Sequence, residues 1–308
     1  MKREEAKNRI EKLREEIQSL RFRYHVENDP SVTDDVYDSL TRELRLLEDK
    51  FPEFRAKDDP LSRVAGAPLP KFEKITHSVR MTSLSDVFSY EELSDWEKRA
   101  LKLIPGKIPT YFAELKFDGL AVSLVYENGK LLYGGTRGDG FVGENITENI
   151  KMITDIPLTL PKDAPKKIEV RGEIVMSKDT LEKLNKQNEK LGLPKFANTR
   201  NASAGSVRQL DPSIVKDRHL SFFAYDIAEL SDDYEKNIKK HSDEHRLLVS
   251  LGFPVSVHEK KCKNLKEIES FIEEIHKIRE KLPFGTDGIV ISIDEADLQE
   301  RLGIVGSK

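Results

Sequence analysis

Residues 111–140 read YFAELKFDGLAVSLVYENGKLLYGGTRGDG, and the reading of this stretch decides the fold. Its opening alternates, with Ala113, Leu115 and Phe117 apolar and Glu114, Lys116 and Asp118 charged. A period of two is that of a strand, so the apolar set faces a core and all three charges share the opposite face. One lysine between two carboxylates, just before a turn at Gly119, makes Lys116 the best nucleophile candidate in the chain.

Glu127-Asn128-Gly129-Lys130 follows, set between apolar runs, and Asn-Gly is the strongest short hairpin signal because both residues tolerate positive φ. A hairpin pairing Glu127 with Lys130 puts Arg137 opposite Leu120. The arginine of Thr136-Arg137-Gly138-Asp139-Gly140 then returns to the lysine's end of the sheet, where a fixed guanidinium can hold a phosphate by two parallel hydrogen bonds. A third strand is predicted over Ile168–Val175, with Glu169, Arg171 and Glu173 on one side and Gly172 leaving room for a close neighbour. Residues 196–209 (FANTRNASAGSVRQ), 222–225 (FFAY) and 287–293 (DGIVISI) are each polar where a plain core would be apolar.

In this order and spacing the segments resemble the bacterial NAD-dependent DNA ligases, members of the lysine-nucleotidyltransferase superfamily that also holds ATP-dependent ligases and capping enzymes. The resemblance covers nearly all 308 residues. It implies that Lys116 accepts the nucleotidyl group, with Asp118 beside it in the catalytic motif. It also implies that Glu114, Arg137, Glu173, Arg200, Arg208, Tyr225, Arg279 and Asp287 occupy nucleotide-pocket positions. By the family pattern Tyr225 stacks on adenine, Glu173 lies at the ribose, and Ser83-Leu84 belongs to a nucleotide-contacting segment.

Ahead of these motifs, Ile10, Leu13, Ile17 and Leu20 recur at spacings of three and four, the period of an amphipathic helix. A second helix is predicted to open near Thr33, a good N-cap, with Val36, Leu40, Leu44 and Leu47 as its buried stripe. Asp34, Tyr37 and Asp38 fall on its other side. With Tyr24 and His25 they match the family's Tyr-His and Asp-x-x-Tyr-Asp signature, which the resemblance assigns to the nicotinamide mononucleotide half of NAD. Aromatic rings can stack on nicotinamide, and carboxylates can accept from ribose hydroxyls or face the cationic ring.

Length alone argues for about two domains. Asp58-Asp59-Pro60 and Gly66-Ala67-Pro68-Leu69-Pro70 break the helical pattern, so a helical domain over 1–66 and a nucleotidyltransferase domain over 67–308 are expected. The expected class is α+β: an antiparallel-sheet nucleotidyltransferase domain of the ATP-grasp-like ligase kind, preceded by a small α-helical domain. Charged residues are 34% and hydrophobic ones 37%, with no apolar run of membrane-spanning length and no apolar stretch of a secretory signal at the amino terminus. Cys262 is the single cysteine, which excludes an internal disulfide and fits a reducing cytoplasm. The formal net charge of −4 is not that of a nucleic-acid clamp, so weak or no DNA binding by this chain, and a monomer, are expected.

The resemblance implies adenylation from NAD, with loss of nicotinamide mononucleotide, as the first step of nick sealing in DNA replication and repair. Only a neutral amine can attack, and flanking carboxylates favour the charged form unless a cation offsets them, so Mg²⁺ is expected. Two departures stand out. Ser292 occupies the place of a lysine in the family's Asp-Gly-Ile-Val-Ile motif, and the sequence stops at Lys308, before the family's last nucleotidyl-transfer motif, its oligonucleotide-binding fold and nicked-DNA partner domains. Self-adenylation without sealing is therefore the expectation. A nucleotide-binding module without catalysis, or an ATP-dependent ligase or capping enzyme, are the alternatives.

Overall fold

The computed structural model describes residues 3–25, 34–54, 71–231, 234 and 237–303. Helices α1 (Arg3–His25) and α2 (Asp34–Lys50) come first. Ile10, Leu13 and Ile17 of α1 are buried with Leu44 of α2, and Leu40 and Leu47 pack at the margin, while Leu20, the fourth position of the stripe expected on α1, is only half-buried. Arg9 grips Glu43 through two hydrogen bonds of 2.7 and 2.6 Å, and Arg14 reaches Glu48 at 2.6 Å, so charged pairs fix how the two helices slide on one another. The predicted cap at Thr33 and the boundary expected between Asp59 and Pro70 lie outside the described residues, as does the side chain of Val36.

The remainder alternates short helices with antiparallel strands: β1 (Lys74–Thr76), α3 (Tyr90–Leu103), β2 (Tyr111–Phe117), β3 (Leu120–Glu127), β4 (Lys130–Thr136), β5 (Val142–Glu144), α4 (Thr147–Ile150), β6 (Lys167–Val175), α5 (Lys178–Lys190), α6 (Thr199–Val207), α7 (Pro212–Lys216), β7 (Ser221–Leu230), α8 (His241–Ser250), β8 (Glu259–Cys262), α9 (Leu265–Ile278), β9 (Thr286–Ile293) and α10 (Ala296–Leu302). Three sheets result, in the orders β4-β3-β6-β7, β8-β2-β9 and β1-β5. The expected α+β class with antiparallel sheets is what the chain adopts.

Each larger sheet has its own core. Val122, Leu124 and Tyr126 of β3, Ile168, Val170 and Ile174 of β6 and Phe222 and Ala224 of β7 bury one face of the four-stranded sheet. Ala113 and Leu115 of β2 and Ile293 of β9 bury one face of the three-stranded sheet against Ile268, Phe271 and Ile275 of α9. Alternation then turns Glu114 and Lys116, or Glu169, Arg171 and Glu173, to the second face of their sheets. Gly172 does have its close neighbour: a Cβ there would meet the Phe222 ring at 2.2 Å.

The β3–β4 turn has Asn128 at φ 49° and Gly129 at φ 73°, and Glu127 pairs with Lys130 as the sequence predicts. The expected position of Arg137 is corrected. Tyr126 pairs with Leu131 but Val125 with Tyr133, so Leu132 is an extra residue, a β-bulge. Arg137 consequently lies opposite Ala121, its N–H donating to the Ala121 carbonyl at 3.2 Å, and not opposite Leu120. The shift matters because directly opposed residues share a face. Leu120 has the parity of buried Val122, whereas Ala121 pairs with Glu173.

Asp118 and Gly119 join β2 of one sheet to β3 of the other. Phe117 stacks on Phe223 of β7 with centroids 4.3 Å apart and planes 6° from parallel, and Phe284 meets Phe223 edge-on at 5.2 Å. The Asp118 N–H also donates to the Gly285 carbonyl at 2.9 Å. An aromatic seam thus holds the polar faces of the two sheets toward one another.

Candidate active site

Lys116 ends the polar side of β2, and its Nζ lies 2.9 Å from Oδ2 of Asp287 on β9. Asp287 reaches it because Gly288 is the residue that pairs with Lys116. Asp118 Oδ1 lies 3.3 Å from Nη1 of Arg200, which is also 3.8 Å from Asp287 Oδ2. Arg200 is held at the start of α6, where the Asn198 side chain accepts from the Asn201 N–H at 2.8 Å and caps the helix. Glu173 on β6 completes the group. Burial pushes its carboxyl up to about 7, against the opposing influence of Arg200, of the Gly119 N–H that donates to it, of Lys116 and of Arg137. Residues from five separated sequence segments converge here, with three cations and three carboxylates.

The other predicted site residues are placed as follows. Burial, then the nearby Glu173 and Asp226 carboxylates, push the Tyr225 hydroxyl far above its ordinary range, so it stays protonated. Glu114, two residues before Lys116 on the same face, is buried at 5% exposure. Ser292 is opposite Phe112 in the β2–β9 ladder, on the face that carries Glu114 and Lys116. Arg208 is engaged by Glu144, through bonds of 2.7 and 3.1 Å that hold the Glu144 carboxyl below its usual range. Arg279 donates to the Thr286 carbonyl at 2.7 Å, steadying the backbone where β9 begins. Ser83 and Leu84 are exposed, two and three residues past Met81, whose N–H donates to the Gly140 carbonyl at 2.9 Å. Tyr24 and His25 close α1, and Asp34, Tyr37 and Asp38 open α2; their side chains lie outside the described residues.

Sequence reasoning missed two groups. Residues 77–81 are strapped to the four-stranded sheet: Ser78 Oγ donates to Glu169 at 2.8 Å and Glu229 at 3.0 Å, and Arg171 Nη2 donates to the Val79 carbonyl at 2.8 Å. The Glu-x-Arg-x-Glu ladder of β6 therefore anchors a strap at one end and enters the lysine cluster at the other. The second group is His241 and His245, buried beside Glu114. Two histidines four apart on a helix were the available signal.

Comparison with known proteins gives the family. The description "NAD-dependent DNA ligase adenylation domain" matches residues 69–308, and "DNA ligase-like, N-terminal NAD+-binding domain" matches residues 3–65. This chain belongs to the NAD-dependent DNA ligases. A DNA ligase of Bacillus cytotoxicus is 44% identical to it over 303 residues, covering 98% of this chain and 44% of that protein. One from Thermoanaerobacter sp. (strain X514) is 44% identical over 299 residues, covering 97% and 44%. The ligase chain thus spans less than half the length of these curated relatives. Among solved structures, the mycobacterial DNA ligase D complexed with ATP and MES aligns at TM-score 0.33 and 12% identity, covering 62% of this chain and 52% of that one. Pmar-Lig_Pre aligns at TM-score 0.37 and 13% identity, covering 83% and 48%. No helix among the described residues of the ligase chain is long and apolar enough to cross a membrane.

Proposed function

We propose that this chain adenylates itself from NAD. The observation that carries the proposal is the convergence of Lys116 with Arg137, Arg200 and Glu173 at the joint between the sheets. Nζ of neutral Lys116 attacks the phosphorus attached to adenosine, an N–P bond forms, and the P–O bond to nicotinamide mononucleotide breaks. The leaving group takes the electron pair, lysine gives up its proton, and a phosphoramidate to AMP remains. Arg137 and Arg200 hold phosphate oxygens and oppose their charge. Glu173 accepts from the ribose, Tyr225 packs against adenine, and Glu114, Arg208, Arg279, Ser292 and the Ser83-Leu84 segment complete the nucleotide pocket. Asp118 and Asp287 orient Lys116 and Arg200.

The NAD selectivity is assigned to Tyr24, His25, Asp34, Tyr37 and Asp38, which would face the nicotinamide half and align the leaving group. The two family matches, ending at 65 and beginning at 69, support a boundary between a 1–66 helical domain and a 67–308 adenylation domain. Mg²⁺ suits the carboxylates Asp118, Glu173 and Asp287, whose oxygens are what a hard cation takes, and it would neutralise phosphate charge. In the whole ligase the adenylated lysine would serve nick sealing on duplex DNA in replication and repair, in the cytoplasm. Ser292 in the place of the family's lysine favours a second reading, in which nucleotide binds without transfer.

Intact-mass measurement before and after NAD with Mg²⁺, in parallel with ATP, separates these readings. A gain of one AMP from NAD and none from ATP is expected. A melting shift with NAD and no mass gain would replace adenylation by binding alone.

A further inference from the structure

His241 and His245 occupy successive turns of α8 and point their Nε2 atoms at the same carboxylate. His241 Nε2 lies 3.6 Å from Glu114 Oε1, and His245 Nε2 lies 3.6 Å from Glu114 Oε2. These are long for hydrogen bonds. They come close to the separation of two ligands around one tetrahedral ion, about 3.3 Å when each bond is about 2.0 to 2.1 Å. All three ligand atoms lie within 4.8 Å of one another, and all three residues are buried.

The other ring nitrogens are held by carboxylates. His241 Nδ1 is 3.1 Å from Glu244 Oε2, and His245 Nδ1 is 2.7 Å from Glu259 Oε2. With Nδ1 donating, each Nε2 needs a cation, a proton or a metal ion, between it and the oxygens it faces: Glu114 for both rings and, for His245, also the Tyr225 carbonyl at 3.2 Å. A carboxylate behind each imidazole is also the usual support of a metal-bound histidine, fixing its tautomer and strengthening its donor nitrogen. Phe112 packs edge-on against both rings, at 5.3 and 4.7 Å, and limits their rotation.

Charge balance points the same way. Glu114 and Glu259 are directly opposed in the β2–β8 ladder, where like charges repel. Asp226 and Glu244 form a second group with His241, their oxygens and one of its ring nitrogens within 4.8 Å of one another. Arg171 lies 3.7 Å from Asp226 and 3.5 Å from Glu169, so one guanidinium is shared between two carboxylates. Four carboxylates therefore surround two imidazoles in a largely buried space, and buried charge is tolerated when paired or coordinated.

We propose that Glu114, His241 and His245 bind a divalent transition-metal ion, with Zn²⁺ the best match to two imidazoles and one carboxylate. Hard ions that prefer all-oxygen shells, Mg²⁺ included, fit this donor set poorly. Glu244 and Glu259 support the ligands from behind, and three protein ligands leave a position for water. The ion ties α8 to β2 two residues upstream of Lys116, so it braces the strand that carries the nucleophile. The site shares Glu114 with the proposed nucleotide pocket, but the geometry that argues for it does not depend on the adenylation reading.

The test uses the whole chain, stripped with a chelator and dialysed against Zn²⁺ in the presence of excess Mg²⁺. Elemental analysis should find about one zinc ion per chain, and Co²⁺ in its place should give the visible absorption of a low-coordinate nitrogen and oxygen site. His245→Gln should abolish this binding. Glu259→Gln, a milder change at a half-exposed carboxylate, should weaken it by about 10- to 100-fold. Zinc-free unsubstituted protein, or Glu259→Gln and His245→Gln both retaining unchanged affinity, would overturn the assignment and leave a hydrogen-bonded histidine cluster. Zinc binding without AMP attachment would support this site while defeating the adenylation reading, and AMP attachment by a chain that binds no zinc would do the reverse.

Discussion

Lys116 Nζ and Asp287 Oδ2 lie 2.9 Å apart across the β2–β9 ladder, in a pair whose side chains are 34% and 41% exposed. An ion pair this open contributes at most about 1 kcal/mol to stability. Its value is positional, because it holds the amine at the end of its strand beside Arg200 and Glu173. Asp287→Asn should leave the melting temperature nearly unchanged while slowing AMP attachment, by up to about a hundredfold if the amine loses its alignment. A large loss of stability with an unchanged rate would mean the pair is structural.

Lys116→Ala removes the proposed nucleophile and little else. The variant should keep its fold, retain part of its NAD binding, and show no AMP adduct by intact mass after incubation with NAD and Mg²⁺. An adduct on the variant would move the nucleophile to another residue.

Tyr24→Ala and Asp38→Ala should impair reaction with NAD far more than they weaken AMP binding, since both are assigned to the leaving half. Calorimetric titration with AMP beside a time course with NAD measures the two effects. Equal losses would make the helical pair a support without a role in choosing the dinucleotide.

Glu173 gives stability a defined pH dependence. Its carboxyl is raised from 4.5 to about 7, so between these values the folded chain holds a proton that the unfolded chain has released. Stability must then fall as pH rises through that window, with a contribution of at most about 3 kcal/mol. Glu173→Gln should flatten this part of the curve. The check is urea unfolding of both proteins at pH 4.5, 6 and 8, and parallel curves would show that Glu173 does not titrate there.

Ser292→Lys should tighten adenine-nucleotide binding or speed adenylation, because a charge-assisted hydrogen bond contributes roughly 1.5 to 3 kcal/mol and about a tenfold gain follows from the low end. Ser292 faces the same side of the sheet as Glu114, opposite the Phe112 that packs on His241 and His245. A loss of binding on substitution would mean that this neighbourhood has closed around the smaller side chain.

Much of this arrangement was legible in the sequence because it rests on local rules. Alternation over 111–118 assigned Leu115 and Lys116 to opposite faces, Asn128-Gly129 declared the hairpin, and the helical spacing of Ile10, Leu13 and Ile17 announced a buried stripe. What escaped depends on contacts between distant segments. The bond from Arg208 to Glu144 spans 64 positions, and that from Ser78 to Glu169 spans 91; no period or motif marks either. Glu114 reads as one charge among three, and only the packing of α8 against β2 reveals that it is buried between two imidazoles.

The bulge at Leu132 has a consequence for which changes this hairpin can absorb. Leu132 is 53% exposed, so its identity is nearly free. Its presence is nearly as free, since taking an unpaired residue out of a bulge leaves Tyr133 opposite Val125 and Arg137 opposite Ala121. A residue added beside it, with the bulge kept, would instead carry Arg137 to the side of Leu120 and Val122, burying a guanidinium where the sheet packs hydrocarbon. The β3–β4 hairpin should therefore tolerate the loss of one residue among descendants of this chain but not the gain of one, an asymmetry imposed by counting and invisible to any measure of side-chain similarity.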